Sequence, residues 1–248
     1  MGKAELMTEN MKGLLLDDRW APVTSEMGFL EIDAEHAARA FAAWQGGLLA
    51  PRDIAVEVRP VSGTLEQALS ALLPLTSPER RRHLFMPTCS PWTAYVDNAR
   101  GGTDAMSAMS YMAQTLGCRG LRVVAVPNTY RKGEGRYGAV MLEVYGPHRT
   151  AWLNYVRAVS ALNDGGHWAF DQFGEPFPFE KLERYQARRV RDRFTFDMLQ
   201  EYLHHLGLSP LEEGFYLPRG APAWLVEKTG PVVPTHQEYT LTQVREDL

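Results

Sequence analysis

The chain has 248 residues, 45% of them hydrophobic and 23% charged, the make-up of an ordinary soluble globular protein. A formal charge of −4 excludes a general nucleic-acid binder, which would carry a strong basic excess. Two cysteines, Cys89 and Cys118, cannot build a disulfide framework and lie too far apart in sequence to chelate. Free thiols in a reducing cytoplasm are the expectation.

Residues 1–30 read as an N-terminal extension. Their only apolar run, Leu14 to Leu16, is closed by Asp17 and Asp18, so it is too short for a secretory signal. Met1-Gly2 opens like a myristoylation site, but Leu6 stands where Ser or Thr is needed. No window approaches the ~18 apolar residues of a membrane span, so no membrane association is expected.

Residues 31–217 read as one α+β domain. Asp33 precedes an alanine-rich helix with Ala37, Ala40, Phe41 and Trp44 on one face, closed at Gly46-Gly47. Ile54 to Val58 alternates as a strand. Thr64 and Gln67 spell a capping box before a helix that Pro74 ends, and Ser77-Pro78 reads as the start of another. Trp92 to Val96 alternates as a strand. A helix is predicted from Thr103-Asp104, with Ala105, Met109, Met112, Ala113 and Leu116 as its stripe and Gly117 as its stop. Leu121 to Val126 is a β-branched run suited to a strand covered on both faces, and Ala139 to Tyr145 follows as another.

Tyr155 to Leu162 fits strand or helix equally. After a turn at Asn163 to Gly166, His167 to Phe170 is expected to pair with a short strand beyond Gly174. Thr195 opens the last helix, whose Phe196, Leu199, Tyr202, Leu203 and Leu206 face inward before Gly207. Four prolines (Pro218, Pro222, Pro231, Pro234) then punctuate an expected extended strap, 218–248, anchored by Trp224, Leu225 and Val226. The whole fits an α+β fold with a mixed, largely antiparallel sheet and packed helices.

Motif chemistry is sparse. Gly133 to Gly138 spells G-x-G-x-x-G, but the next segment alternates like a strand, so a hairpin loop is expected and not a phosphate cradle. The seven histidines show no metal-binding helical spacing, and His204-His205 suits the negative end of a helix. Cys118 sits in a turn beside Arg119 and Arg122, which could lower a thiol pKa, but a small buried residue at a tight crossing is expected there, and Cys89 is a weaker candidate still. No catalytic constellation, metal site or cofactor is therefore expected.

Two stretches suggest binding. The strand ending in Asp97-Asn98 leads through a glycine loop to Asp104 at a helix start, where α/β proteins often place function. The second runs from His167 to Phe194. Trp168, Phe170, Phe173, Phe177 and Phe179 crowd together and give way to a basic helix containing Arg188 and Arg189, with Glu180 and Arg184 spaced as an ion pair. Exposed aromatics beside arginines are the stuff of binding hot spots.

At these stretches the chain resembles uncharacterised bacterial cytosolic proteins of the polymorphic-toxin immunity type. The residues that carry the likeness are TAYVDN with GTD (93–98, 102–104), GCRGLRVVAVP (117–127) and HWAFDQFGEPFPFE (167–180). The resemblance implies a non-catalytic protein that neutralises a toxin or effector by covering its active site.

The expected interface to such a protein partner comprises Asp97, Asn98, Asp104, Trp168, Phe170, Phe173, Arg188 and Arg189. The alternative is a cytosolic enzyme on a small anionic or nucleotide substrate, with Asp97, Asp104 and Cys118 at one sheet end and Arg119 or Arg136 holding the anion. A third reading is an assembly protein whose C-terminal strap docks on a neighbouring chain.

Overall fold

The computed structural model describes residues 11–132 and 134–248. The chain-start motif at Met1-Gly2 and Leu6, and Gly133 of the glycine motif, lie outside the described residues.

Nine strands form one sheet in the order β2-β10-β4-β5-β1-β6-β7-β8-β9. They are β1 (Glu26–Leu30), β2 (Ala55–Val61), β4 (Arg82–Pro87), β5 (Thr93–Asp97), β6 (Gly120–Val126), β7 (Ala139–Tyr145), β8 (Tyr155–Asp164), β9 (His167–Phe173) and β10 (Ala223–Thr229). Every neighbouring pair runs antiparallel. A separate ribbon joins β3 (Leu75–Ser77) to β11 (Gln237–Tyr239). Among the described residues the α-helices are α1 (Ala34–Leu49), α2 (Leu65–Ser70), α3 (Met106–Leu116), α4 (Phe196–His205) and α5 (Leu241–Glu246). The architecture is α+β, as the interleaving of patterns suggested.

Helices cover both faces of the sheet. On one, α1 and α3 bury Phe41, Met109 and Met112 against Phe85, Tyr95 and Val226. On the other, α2 and α4 close over Leu84, Val96, Leu121, Leu142 and Leu225. Burial on both faces explains why the central strands read as apolar runs. Among the described residues no helix is long and apolar enough to cross a membrane.

Local signals succeed where the backbone supplies their cause. Asp33 accepts from the His36 amide, Thr64 and Gln67 close a reciprocal capping box, and Thr195 accepts from the Met198 amide. Gly117 ends α3 in the left-handed region at φ 66°. Tyr155 to Leu162, left open between two periods, is strand β8.

Other readings are corrected. Helix α1 continues through Gly46 and Gly47 to Leu49, because glycine weakens a helix without forbidding it. Ser77-Pro78 is a cis peptide following β3 and starts no helix. Helix α3 begins at Met106, and Thr103 is no cap: its hydroxyl donates to the Val23 carbonyl and accepts from the Asp97 amide. β9 pairs back with β8 through a tight turn at Gly165-Gly166. The basic stretch after Glu180 forms two short 3-10 turns, Arg184–Gln186 and Val190–Asp192, in place of a helix.

Strands from both the N-terminal and the C-terminal parts of the chain are woven into the sheet. β1, within the stretch read as an extension, lies between β5 and β6. There Gly28 admits α3 closely, since a Cβ would stand 2.6 Å from the Met109 side chain. β10, within the expected strap, is inserted between β2 and β4. Its prolines and glycines fall in the flanking turns, leaving seven uninterrupted residues, AWLVEKT, for the strand.

Candidate functional site

The interior of the α1/α3 face contains an unusual run of ionisable groups. β4 and β5 pair so that His83 stands opposite Asp97, with Tyr95 one position further along the same face. His83 Nδ1 lies 2.9 Å from the Tyr95 hydroxyl, and that hydroxyl donates to Asp97 Oδ2 at 3.1 Å. All three are buried, Asp97 completely. Arg80, just before β4, reaches Asp97 at 3.5 Å and Asp104 at 3.2 Å.

Donors surround the Asp97 carboxylate. The Ala99 amide donates to Oδ1 at 3.0 Å and the Asp104 amide to Oδ2 at 3.3 Å. Burial nonetheless raises the Asp97 pKa to about 6, with Arg80 and these hydrogen bonds opposing the rise. Burial, reinforced by Lys228 and Arg80, holds His83 well below its ordinary range, so the ring is neutral at physiological pH. On β10, burial and then Arg80 depress Lys228 to about 8.

These groups meet at a small pocket of about 70 Å³ lined by Phe41, Trp44, Gln45, Arg80, His83, Tyr95, Ser107, Ala108 and Lys228. Two features mark it as incomplete. His83 Nε2 is buried with no hydrogen-bond partner, a costly state for a polar atom. The Lys228 ammonium has no hydrogen bond or ion pair among the described residues, although Arg80 and Asp97 act on it electrostatically. α3 also presents its first turn here, and its N-cap, Ala105, contributes no side-chain hydrogen bond. Beside the neutral histidine, the lone ammonium and the helix start together can hold a small anion.

The expected binding residues are distributed differently. Asp97 and Asn98 are 0% and 1% exposed, so neither can touch a protein partner. Asn98 is a clamp: its Oδ1 accepts from the Arg81 and Arg82 amides, and its Nδ2 donates to the Pro74 carbonyl. Asp104 is exposed and borders the pocket through Arg80. Trp168 and Phe170 turn their faces to the core, where Phe170 packs on Tyr185 at 5.1 Å. Phe173, Arg188 and Arg189 are exposed.

Cys118 and Arg119 stand at the opposite sheet end from Asp97, because Gly120 pairs with Leu30 and Leu30 with Thr93, the first residue of β5. Burial and Glu31 raise the Cys118 thiol, the reverse of activation. Arg119 is paired with Glu31, and Arg136 with Asp18. The described part of the glycine motif, residues 134–138, leads into strand β7 and not into a helix. No group of three or more candidate metal ligands occurs among the described residues.

Sequence reasoning passed over Arg80, His83, Tyr95 and Lys228. One signal was available: Thr93, Tyr95 and Asp97 share a strand face by period two, a polar face on a strand otherwise made of Ala94 and Val96. His83 and Lys228 come from strands 145 residues apart, so only the sheet order unites them. Comparison with protein-family models, with curated proteins and with solved structures found no match to this chain. The molecule is thus defined by its fold and by this pocket.

Proposed function

We propose that the protein binds a small organic anion in the pocket between α1 and α3, in the manner of an enzyme on an anionic substrate. The observation that carries this reading is the buried, partnerless Nε2 of His83 beside the unpaired ammonium of Lys228. A ligand in this pocket could meet both the buried Nε2 and the unpaired ammonium at once. Hydrogen bonding of His83 to Tyr95, and of Tyr95 to Asp97, orients the ring as an acid–base group is oriented.

Titration of the purified chain with acetate, propionate, phosphate and nucleotides, followed by melting temperature and calorimetry, tests the reading. A short carboxylate is expected to raise the melting temperature, and Lys228→Met to weaken its binding by about tenfold or more. Affinity should fall as pH rises through about 8, where Lys228 loses its proton. No shift with any of these anions would sink the proposal.

A second reading, a protein-binding module of immunity type, is favoured by one feature. β9 is an edge strand with Phe173 exposed on it, and Arg188 and Arg189 are exposed in the segment that follows. An extended acidic segment of a toxin or effector could add to that edge through main-chain hydrogen bonds. A partner retained by wild type and equally by a Phe173→Asp, Arg189→Glu variant would rule this surface out.

A further inference from the structure

The His83–Tyr95–Asp97 chain has a direction, and the direction selects the ligand. A tyrosine hydroxyl has one proton to give. Asp97 already receives the Ala99 and Asp104 amides and faces Arg80, so while ionised it accepts that proton in a hydrogen bond. The Tyr95 oxygen is then an acceptor towards His83, and His83 Nδ1 must be the protonated ring nitrogen. Nε2, the ring atom left for the pocket, therefore carries a bare lone pair.

A simple carboxylate would satisfy Lys228 and set its own lone pairs against Nε2. A ligand that joins a carboxylate to a hydroxyl satisfies both, one group accepting from the ammonium and the other donating to Nε2. The apolar walls, Phe41, Trp44 and Ala108, and the small volume of about 70 Å³ suit a short carbon skeleton. Charge agrees: Arg80 is already met by Asp97 and Asp104, which leaves Lys228 to balance a monoanion.

We propose that the pocket selects a small hydroxycarboxylate, its carboxylate on Lys228 and its hydroxyl donating to His83 Nε2. This rests on the anion-binding reading and narrows it to a substrate class. It has a consequence that a merely tolerant pocket would lack. When Asp97 takes up a proton, near pH 6, the chain reverses: Asp97 donates to Tyr95, Tyr95 to Nδ1, and the ring proton moves to Nε2. The pocket then offers a donor to the ligand and no longer favours a hydroxyl proton.

The groups facing Asp97 are Arg80, Tyr95, His83, Asp104 and, on β10, Lys228. The α1 and α3 residues over the pocket, Phe41, Trp44, Gln45, Ser107 and Ala108, carry no charge. Glu79 and Arg81 act on Lys228 from the turn before β4. Burial, then Lys228 and Arg80, push His83 well below its ordinary range, so Asp97 is the group whose titration reverses the chain.

Calorimetry of the intact chain with lactate and propionate, counted as ionised forms, at about pH 7.5 and about pH 5.5, reads this out. Lactate should bind at least about tenfold tighter at the higher pH, and the advantage should fall to about twofold or less at the lower. Tyr95→Phe should keep propionate binding and lose the preference. Equal binding of the two acids by wild type at the higher pH overturns the substrate class and leaves the anion site standing. So does a preference unchanged by pH, which needs no variant to observe. Binding of neither acid overturns both.

Discussion

Replacing Arg157 with alanine is expected to cost about 3–5 kcal/mol of folding stability, the largest loss of any single substitution considered for this chain. Arg157 lies on β8 with its side chain 1% exposed, facing a Glu180 side chain equally buried. All five of its N–H donors have acceptors: Glu180 Oε1 and Oε2 at 2.8 and 2.6 Å, the carbonyls of Phe173 and Gly174, and Gln172 Oε1. Glu180 also accepts from the Phe177 amide and the Tyr185 hydroxyl. Removing the arginine leaves a carboxylate buried without its cation, which is far costlier than the pair itself is favourable.

The pair fastens the irregular segment beyond β9 onto the sheet, where few regular backbone hydrogen bonds could hold it. Urea denaturation of Arg157→Ala measures the loss, and a value under about 1 kcal/mol would contradict this account. The double variant Arg157→Leu, Glu180→Leu should recover much of it, because no orphaned charge remains.

Lys228→Met should act in the opposite direction, raising stability at neutral pH by about 2 kcal/mol while removing the anion site. A lysine lowered from 10.5 to about 8 on folding opposes folding by about 3 kcal/mol in its charged form, and its remaining solvent contact reduces that. The unfolded chain holds this proton more tightly than the folded one. The penalty is therefore complete below about pH 8 and fades as pH rises towards 10.5. Denaturation midpoints should differ most near pH 7 and converge by about pH 10. A variant less stable than wild type near pH 7 would show that Lys228 serves packing and not a ligand. Stability given up at one residue is a mark of sites kept for binding.

The expected interface shows why a surface cannot be read from residue types. Asp97 and Asn98 at a strand end looked like a site, and burial removes both from any protein partner. Asp97 nevertheless belongs to the candidate site, as the far end of a hydrogen-bonded chain. The Glu180–Arg184 spacing suggested a helical ion pair, yet no helix forms and Glu180 turns inward to Arg157. Aromatic crowding at 168–179 divides by strand alternation: Trp168 and Phe170 pack on the core and Phe173 faces out.

By itself the sequence determined what is local. The caps at Asp33, Thr64 and Thr195, the stop at Gly117, the strand at Ala139 to Tyr145 and the α+β class all rest on interactions within a few residues. Tertiary structure alone decided the rest. β1 and β4 are short and carry Gly28 or follow an arginine run, so their strand character comes from neighbours on both sides. β10 crosses most of the chain to pair with β2 and β4, a contact that no local pattern encodes. That crossing brings Lys228 to His83, and the pocket exists because distant strands share one sheet.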